Sequence, residues 1–205
     1  MNESMNEPGA TSFYELTAAR RGHFQLESGH HSERWFELDA LFAVPGRIAP
    51  FVSQLTESLR LYNVAAVCGP LLGGAFLAQL VAQALEVEFC FTERVLPPDA
   101  AGMYQARYVL PTAFIERVRG QRLAMVDDVM SAGSALRGTY AELQTHGATP
   151  VVAGAIMVLG NTGADFFHDQ QIAVEAVFRE AYSLWLPNEC PLCAAGTPLE
   201  NVGTG

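Results

Sequence analysis

Asp127 and Asp128 are adjacent acids at the end of an apolar run, and a short turn of Ser, Ala and Gly residues follows them. An apolar run, a small-residue turn and the helical pattern of residues 135–145 predict a strand, a tight turn and a helix. Backbone N–H groups in such a turn, together with the positive end of the helix dipole, suit a phosphate. Two carboxylates beside a phosphate would repel it unless they bind Mg²⁺ or ribose hydroxyls. The alternative is an ordinary strand–helix corner with solvated acids, but the small-residue turn favours a binding site.

A second strand–loop–helix unit precedes the first in the chain. Residues 64–68 form a continuous apolar run, as expected of a buried parallel strand, and a helical pattern begins at Ala75. The loop between them contains Leu71, Leu72, Gly73 and Gly74. The two glycines would let a ligand approach the backbone closely. A Gly-Gly loop alone is common and predicts little. Its position in the chain before the acid pair is what indicates a second binding loop.

These two loops belong to a longer alternation of strands and helices. Four apolar runs alternate with helical patterns, and a hairpin over residues 22–38 precedes them. The pattern predicts an α/β fold with a doubly wound parallel sheet and a small N-terminal hood. We expect a disordered tail over residues 1–11, a single domain over 12–199 with the hood mainly in 12–42, and a second tail over 200–205.

Composition limits the possible partners. The net charge is −10, with 12 Arg and no Lys, so binding of nucleic acid through bulk electrostatics is excluded. Apolar runs of 18 residues are absent, which argues against a membrane span. The polar, acidic N-terminus does not resemble a signal peptide, so we expect a cytoplasmic protein.

Cys190 and Cys193 form a C-x-x-C pair near the end of the chain. A structural zinc site needs four ligands, so this pair predicts at most a zinc half-site, shared across a dimer or completed by His. A redox pair is a further alternative, and two reduced thiols in a C-terminal turn are the interpretation we favour. His30 and His31 are predicted to lie in a polar turn.

Residues 125–134 resemble the phosphoribosyl-diphosphate (PRPP) signature of type I phosphoribosyltransferases. The resemblance implies that Asp127 and Asp128 hold the ribose hydroxyls and, partly through water, Mg²⁺. It assigns PRPP and phosphate binding to Val129, Met130, Ser131, Ala132, Gly133 and Ser134, with the 5-phosphate held by the N–H groups from Ser131 to Ser134. It assigns pyrophosphate to the loop Leu71, Leu72, Gly73 and Gly74, helped by Arg94 and Arg107.

The hairpin resembles the hood of orotate phosphoribosyltransferases, and the C-terminal stretch resembles that of one bacterial orotate-type subgroup. The implied base-binding residues are Phe24, Glu27, Trp35, Phe36 and Asn161. Trp35 and Phe36 could equally be core aromatics.

The chain departs from this group at three places. In the family a flexible loop with a catalytic Lys closes over PRPP. Here the predicted mobile loop over residues 95–105 has no basic residue between Pro97 and Met103. Arg94 stands where a Lys is expected, and Arg can supply positive charge but not proton transfer. Glu27 and Asn161 stand where orotate-binding members carry Lys and Arg.

The resemblance implies an enzyme that transfers the 5-phosphoribosyl group from PRPP to a nucleobase and releases pyrophosphate, with orotate as the first candidate base. The implied cofactor is Mg²⁺, and the implied partners are PRPP, a base and a second copy of the chain in a homodimer. The alternative is a PRPP or nucleotide sensor of the same fold, with weakened catalysis.

Overall fold

The computed structural model describes residue 17, residues 19–98 and residues 102–202. The predicted tail over residues 1–11 lies outside this part of the chain. The strands are β1 (Arg20–Gln25), β2 (His31–Trp35), β3 (Ala66–Pro70), β4 (Glu88–Val95), β5 (Arg107–Val109), β6 (Arg122–Met130), β7 (Thr149–Leu159), β8 (Ala173–Glu180) and β9 (Glu200–Asn201). The α-helices are α1 (Pro45–Leu59), α2 (Gly73–Leu85), α3 (Thr112–Val118), α4 (Ser134–Thr145), α5 (Thr162–Asp169) and α6 (Pro191–Ala194). None of these helices is long and apolar enough to cross a bilayer.

Six strands form the central sheet in the order β5-β4-β3-β6-β7-β8. The pairings among β3, β4, β6, β7 and β8 are parallel, and β5 adds an antiparallel edge next to β4. β6 lies in the middle and is apolar on both faces until it reaches the acid pair. The predicted doubly wound parallel sheet is confirmed.

Helices cover both faces of this sheet. Along β6, Ala124 and Val126 pack towards α1 and α2, whereas Leu123 and Met125 pack towards α3, α4 and α5. This alternation follows from the two-residue period of a strand, and it explains why β6 is a continuous apolar run. α1 begins at the predicted Pro45, and its predicted apolar stripe is buried against the sheet.

The N-terminal hairpin and β9 form a separate three-stranded sheet in the order β2-β1-β9. The sequence analysis placed Glu200 and Asn201 in a tail; instead they pair with Phe24 and Gln25 of β1. A two-residue strand carries too little pattern to be predicted, and its pairing partner lies at the other end of the chain. The hood is also tied to the central sheet, because the Arg34 guanidinium lies 2.6 Å from Glu180 and donates to the carbonyl of Ala181.

Candidate active site

A cavity of about 630 Å³ lies between the hood and the carboxyl ends of the central strands. Ligands of open α/β sheets bind at this edge. The structure brings most of the predicted site residues together in its wall. Those lining it are Glu27, Trp35, Phe36, Leu71, Leu72, Gly73, Gly74, Arg94, Asp127, Asp128, Val129, Ser131, Gly133 and Ser134.

Asp127 and Asp128 are the sixth and seventh residues of β6, since the strand continues to Met130. Asp128 is 7% exposed, and its Oδ1 accepts a hydrogen bond from the backbone N–H of Val129 at 2.7 Å. Burial, together with the charge of Asp128, raises the pKa of the Asp127 carboxyl well above its ordinary value. A carboxyl that resists ionising beside a second acid fits a site for a cation or for sugar hydroxyls.

The Gly-Gly loop packs directly on this pair. A Cβ added at Gly73 would overlap the Oδ2 of Asp128, and one added at Gly74 would lie 2.8 Å from the Oδ1 of Asp127. Only glycine therefore permits the backbone at the start of α2 to lie so close to the carboxylates. The peptide bond between Leu71 and Leu72, just before this helix, is cis.

The turn after β6 forms the second candidate phosphate site. Gly133 has φ +75°, a left-handed conformation that favours glycine, and α4 begins at the next residue without a side-chain cap. The turn is supported from behind, because the Gly163 N–H donates to the carbonyl of Ser131 at 2.9 Å. The first N–H groups of α4 thus begin at the cavity wall, where an anion can accept from them.

Arg94, Glu27 and Tyr108 form one contact group in the cavity wall. The Nε of Arg94 lies 3.0 Å from the Oε2 of Glu27, and the Tyr108 hydroxyl donates to the Oε1 of Glu27 at 2.9 Å. Burial and the charge of Glu27 raise the pKa of Tyr108, so the phenol stays neutral. The negative charge of Glu27 is therefore compensated inside the cavity wall. The sequence analysis missed Tyr108, although its place between two outward-facing strand residues could have indicated it.

Five predicted residues do not line the cavity with the rest. Arg107 is exposed because it and Val109 face outward from β5 while Tyr108 faces inward. Phe24 is 1% exposed inside the hood, and the side chains of Met130 and Ala132 are buried in the core. Asn161 is an exposed N-cap of α5, and its carbonyl accepts the N–H of Asp165 at 2.7 Å. Phe36 lines the cavity and also packs in the core, so the base-binding and core interpretations of this residue are compatible.

The predicted mobile loop is described only in part, since residues 99–101 lie outside the described residues. Its C-terminal portion contacts the hairpin turn: the Tyr104 N–H donates to the carbonyl of Ser28 at 3.1 Å, and its ring packs on His30. The guanidinium of Arg137 lies over the Tyr104 ring, 4.7 Å from its centroid. The mobility of the loop stays a prediction.

A second cluster lies in the hood, away from the cavity. His23 and His31 of the hairpin meet Cys190 and Cys193, and the nitrogen and sulfur atoms that could bind a metal lie within 4.8 Å of one another. The sequence analysis did not assign a metal to either histidine. The hairpin pattern contained the signal, because His23 lies on the strand face opposite Phe24, where a diagonal partner across the turn is His31.

A doubly wound sheet that places two helix N-termini and an acid pair around one cavity at its carboxyl edge is typical of α/β proteins that bind phosphorylated ligands. Residues 37–175 match the family described as Phosphoribosyl transferase domain, and the chain belongs to this family. The family is enzymatic, so the chain is an enzyme of the glycosyltransferase type. The predicted family resemblance is confirmed.

Relatives with established names are similar over nearly the whole chain. The orotate phosphoribosyltransferase of Thermotoga petrophila is 31% identical over 187 residues, which cover 91% of this chain and 92% of the relative. That of Caldanaerobacter subterraneus subsp. tengcongensis is 27% identical over 192 residues, with 94% of each chain covered.

Solved structures support the same fold. Orotate phosphoribosyltransferase from Aeropyrum pernix matches with a TM-score of 0.64 at 20% identity, covering 83% of this chain and 92% of that one. Adenine phosphoribosyltransferase from Trypanosoma brucei, solved with AMP, pyrophosphate and ribose-5-phosphate, matches with a TM-score of 0.65 at 15% identity. The match covers 86% of this chain and 82% of that one.

Proposed function

We propose that the enzyme transfers the 5-phosphoribosyl group of PRPP to a nucleobase, with orotate as the first candidate, and releases pyrophosphate. One observation carries this proposal: the acid pair lies between two uncapped helix N-termini, those of α2 and α4, in one cavity. PRPP has the same order of groups, with a diphosphate at one end, a diol in the middle and a phosphate at the other end.

The residues of the cavity have distinct roles in this reaction. The backbone around Gly133 and Ser134 would hold the 5-phosphate, and that around Gly73 and Gly74 would hold the diphosphate. Asp127 and Asp128 would accept hydrogen bonds from the ribose hydroxyls. As the bond from C1 to the pyrophosphate oxygen breaks, positive charge grows on the ribose ring. The two carboxylates beside the ring would stabilise this charge.

Mg²⁺ fits the donor set at the acid pair. The pKa of Asp127 is raised by burial and by the neighbouring charge of Asp128, and a divalent cation would favour the ionised form of both carboxylates. When bound, Mg²⁺ would offset the charge of the departing pyrophosphate. Because hard cations of this kind keep several waters, we propose that Asp127 and Asp128 hold it partly through water.

Two arguments support orotate as the base. The relatives that match over more than nine-tenths of the chain are named orotate phosphoribosyltransferases. The negative charge of Glu27 had counted against orotate, because orotate itself carries a carboxylate. The contacts of Glu27 with Arg94 and Tyr108 weaken this argument, since they compensate the Glu27 charge before orotate binds. Trp35 and Phe36 supply aromatic surface in the same cavity.

The test is pyrophosphate release from Mg·PRPP with orotate, uracil, hypoxanthine, adenine, xanthine or no base, with Asp127→Asn as the inactive control. We expect release that depends on orotate and disappears in the variant. Release with another base alone would replace orotate, and binding of Mg·PRPP without release would favour the sensor. The sensor alternative is not favoured, because it depends mainly on one feature, the loop that lacks a basic residue. A homodimer and a cytoplasmic location stay predictions.

A further inference from the structure

Four side chains that the proposed reaction does not use converge in the hood. His23 is in β1 and His31 opens β2, while Cys190 and Cys193 lie at the beginning of α6. His23, His31 and Cys190 are 2%, 4% and 3% exposed, and Cys193 lies at the surface. The nearest histidine–cysteine pairs are 162 and 167 residues apart in sequence, so the fold has brought together the two ends of the chain.

Four distances within this cluster lie close to the edges of a tetrahedron around zinc, and all of its ligand atoms lie within 4.8 Å of one another. The Nε2 of His23 lies 3.1 Å from the Nδ1 of His31, 3.4 Å from the Sγ of Cys190 and 3.7 Å from the Sγ of Cys193. The Sγ of Cys193 lies 3.3 Å from the Nδ1 of His31. Zn–N bonds of about 2.0 Å and Zn–S bonds of about 2.3 Å require ligand separations of roughly 3.3–3.8 Å in a tetrahedral site.

Neighbouring contacts orient the ligands. The Nδ1 of His23 lies 2.8 Å from the carbonyl of Thr197, which accepts its N–H and leaves the Nε2 lone pair directed at the two sulfurs. A backbone carbonyl in this role is typical of metal-binding histidines. The backbone of His31 exchanges two hydrogen bonds with Trp185, at 2.8 and 3.0 Å, and so fixes the hairpin against the C-terminal segment.

We propose that His23, His31, Cys190 and Cys193 bind one structural Zn²⁺ per chain. Two thiolates and two imidazoles are a soft donor set that suits zinc and not Mg²⁺. With both thiols deprotonated the site carries no net charge, so the ion can lie among buried side chains at small electrostatic cost. All four ligands come from the same chain, and the half-site predicted from Cys190 and Cys193 is completed without a second subunit.

The proposed zinc would also set the position of the base side of the cavity. Leu26, Glu27 and Ser28 follow directly after β1 and line the cavity. Val202 lines it too, and its N–H donates to the carbonyl of Gln25. Because the zinc would join β1 to the segment that ends in β9, its loss should loosen both of these walls.

The first test is the metal content of the full-length protein, expressed with zinc in the medium and purified under reducing conditions. We expect about one zinc per chain, and X-ray absorption with two sulfurs at about 2.3 Å and two nitrogens at about 2.0 Å. Zinc far below one per chain that added zinc does not restore, or a first shell without sulfur, would overturn the proposal.

A pair of neighbouring histidines supplies the matched control. His31→Gln removes a ligand, whereas His30→Gln changes a ring whose Nδ1 faces the Oγ of Ser28 at 3.0 Å and which packs on Tyr104. We expect His31→Gln and Cys193→Ser to lose the zinc and His30→Gln to keep it. Full zinc in His31→Gln, or equal loss in both histidine variants, would contradict the assignment.

Thermal unfolding with and without a chelator separates a structural role from adventitious binding. Removing the metal should lower the Tm of the wild-type protein by about 5 °C or more, because a ligand bound only to the folded state stabilises it. The chelator should not change the Tm of Cys193→Ser, whose exposed side chain can be replaced without leaving a buried cavity. A chelator that removes zinc without changing the wild-type Tm would refute the structural role. None of these measurements depends on PRPP or a base, so they stand apart from the proposed function.

Discussion

Gly73→Ala should greatly lower the activity of the enzyme while leaving its fold intact. The added Cβ would overlap the Oδ2 of Asp128 and lie 2.9 Å from its Cγ, so either the carboxylate or the start of α2 must move. Asp128 is 7% exposed and held by the N–H of Val129, so it has little room to turn aside. The substitution therefore changes the distance between the acid pair and the loop proposed to bind the diphosphate.

The size of the effect on the rate follows from the displacement of the carboxylate or of the start of α2. A displacement of about 1 Å at a reacting centre costs about 100-fold in rate, which is roughly 2.7 kcal/mol of transition-state stabilisation. Global stability should change much less. Overpacking costs about 1–3 kcal/mol, and replacing Gly by Ala in a helix returns up to about 1 kcal/mol of it.

The assay is kcat/KM for PRPP from pyrophosphate release, measured beside the Tm of each variant. Gly46→Ala is the matched control, because Gly46 also lies in the first turn of a helix and a Cβ there would meet nothing within 4 Å. We expect the control to keep wild-type activity. Activity of Gly73→Ala within threefold of wild type, or an equal loss in both variants, would refute the reasoning.

Three further outcomes are expected. Asp127→Asn should abolish activity yet raise the Tm of the ligand-free protein at pH 7. Because the pKa of Asp127 is raised in the folded state, the folded protein loses stability as the pH rises through this pKa. The amide introduced by the substitution does not ionise, so the variant avoids this loss of stability. An unchanged or lower Tm would contradict this. Arg94→Ala should lower kcat/KM at least about tenfold, since it removes the cation and leaves Glu27 uncompensated, and adding Glu27→Gln should recover part of the loss in the same assay. Arg34→Ala should lower the free energy of unfolding by about 1–3 kcal/mol in urea titrations, because the hood loses its contacts with Glu180 and the carbonyl of the next residue; a loss under 0.5 kcal/mol, about the effect of an ordinary surface substitution, would show that this link is not needed.

The sequence alone determined the features that are local in the chain. The apolar run of β6, its acid pair and the small-residue turn lie within about a dozen residues, and strand and helix periodicities are set by near neighbours. These features were enough to predict the doubly wound sheet and the two loops at the cavity, whereas most of the other lining residues were implied by the family resemblance. The same periodicity also separates Tyr108 from Arg107, although this distinction was not drawn from the sequence.

Only the tertiary structure decided which distant side chains meet. Glu27 had counted against orotate as the base, and its contact with Arg94 weakens that argument because the arginine compensates its charge. The pairing of β9 with β1 brings the C-terminal segment to the hood, and with it Cys190 and Cys193 reach His23 and His31. Such contacts join residues more than 60 positions apart, and local periodicity cannot encode them. They depend on how the sheet and the hood pack, and that packing determines the charge of the cavity wall and completes the cluster of four ligands.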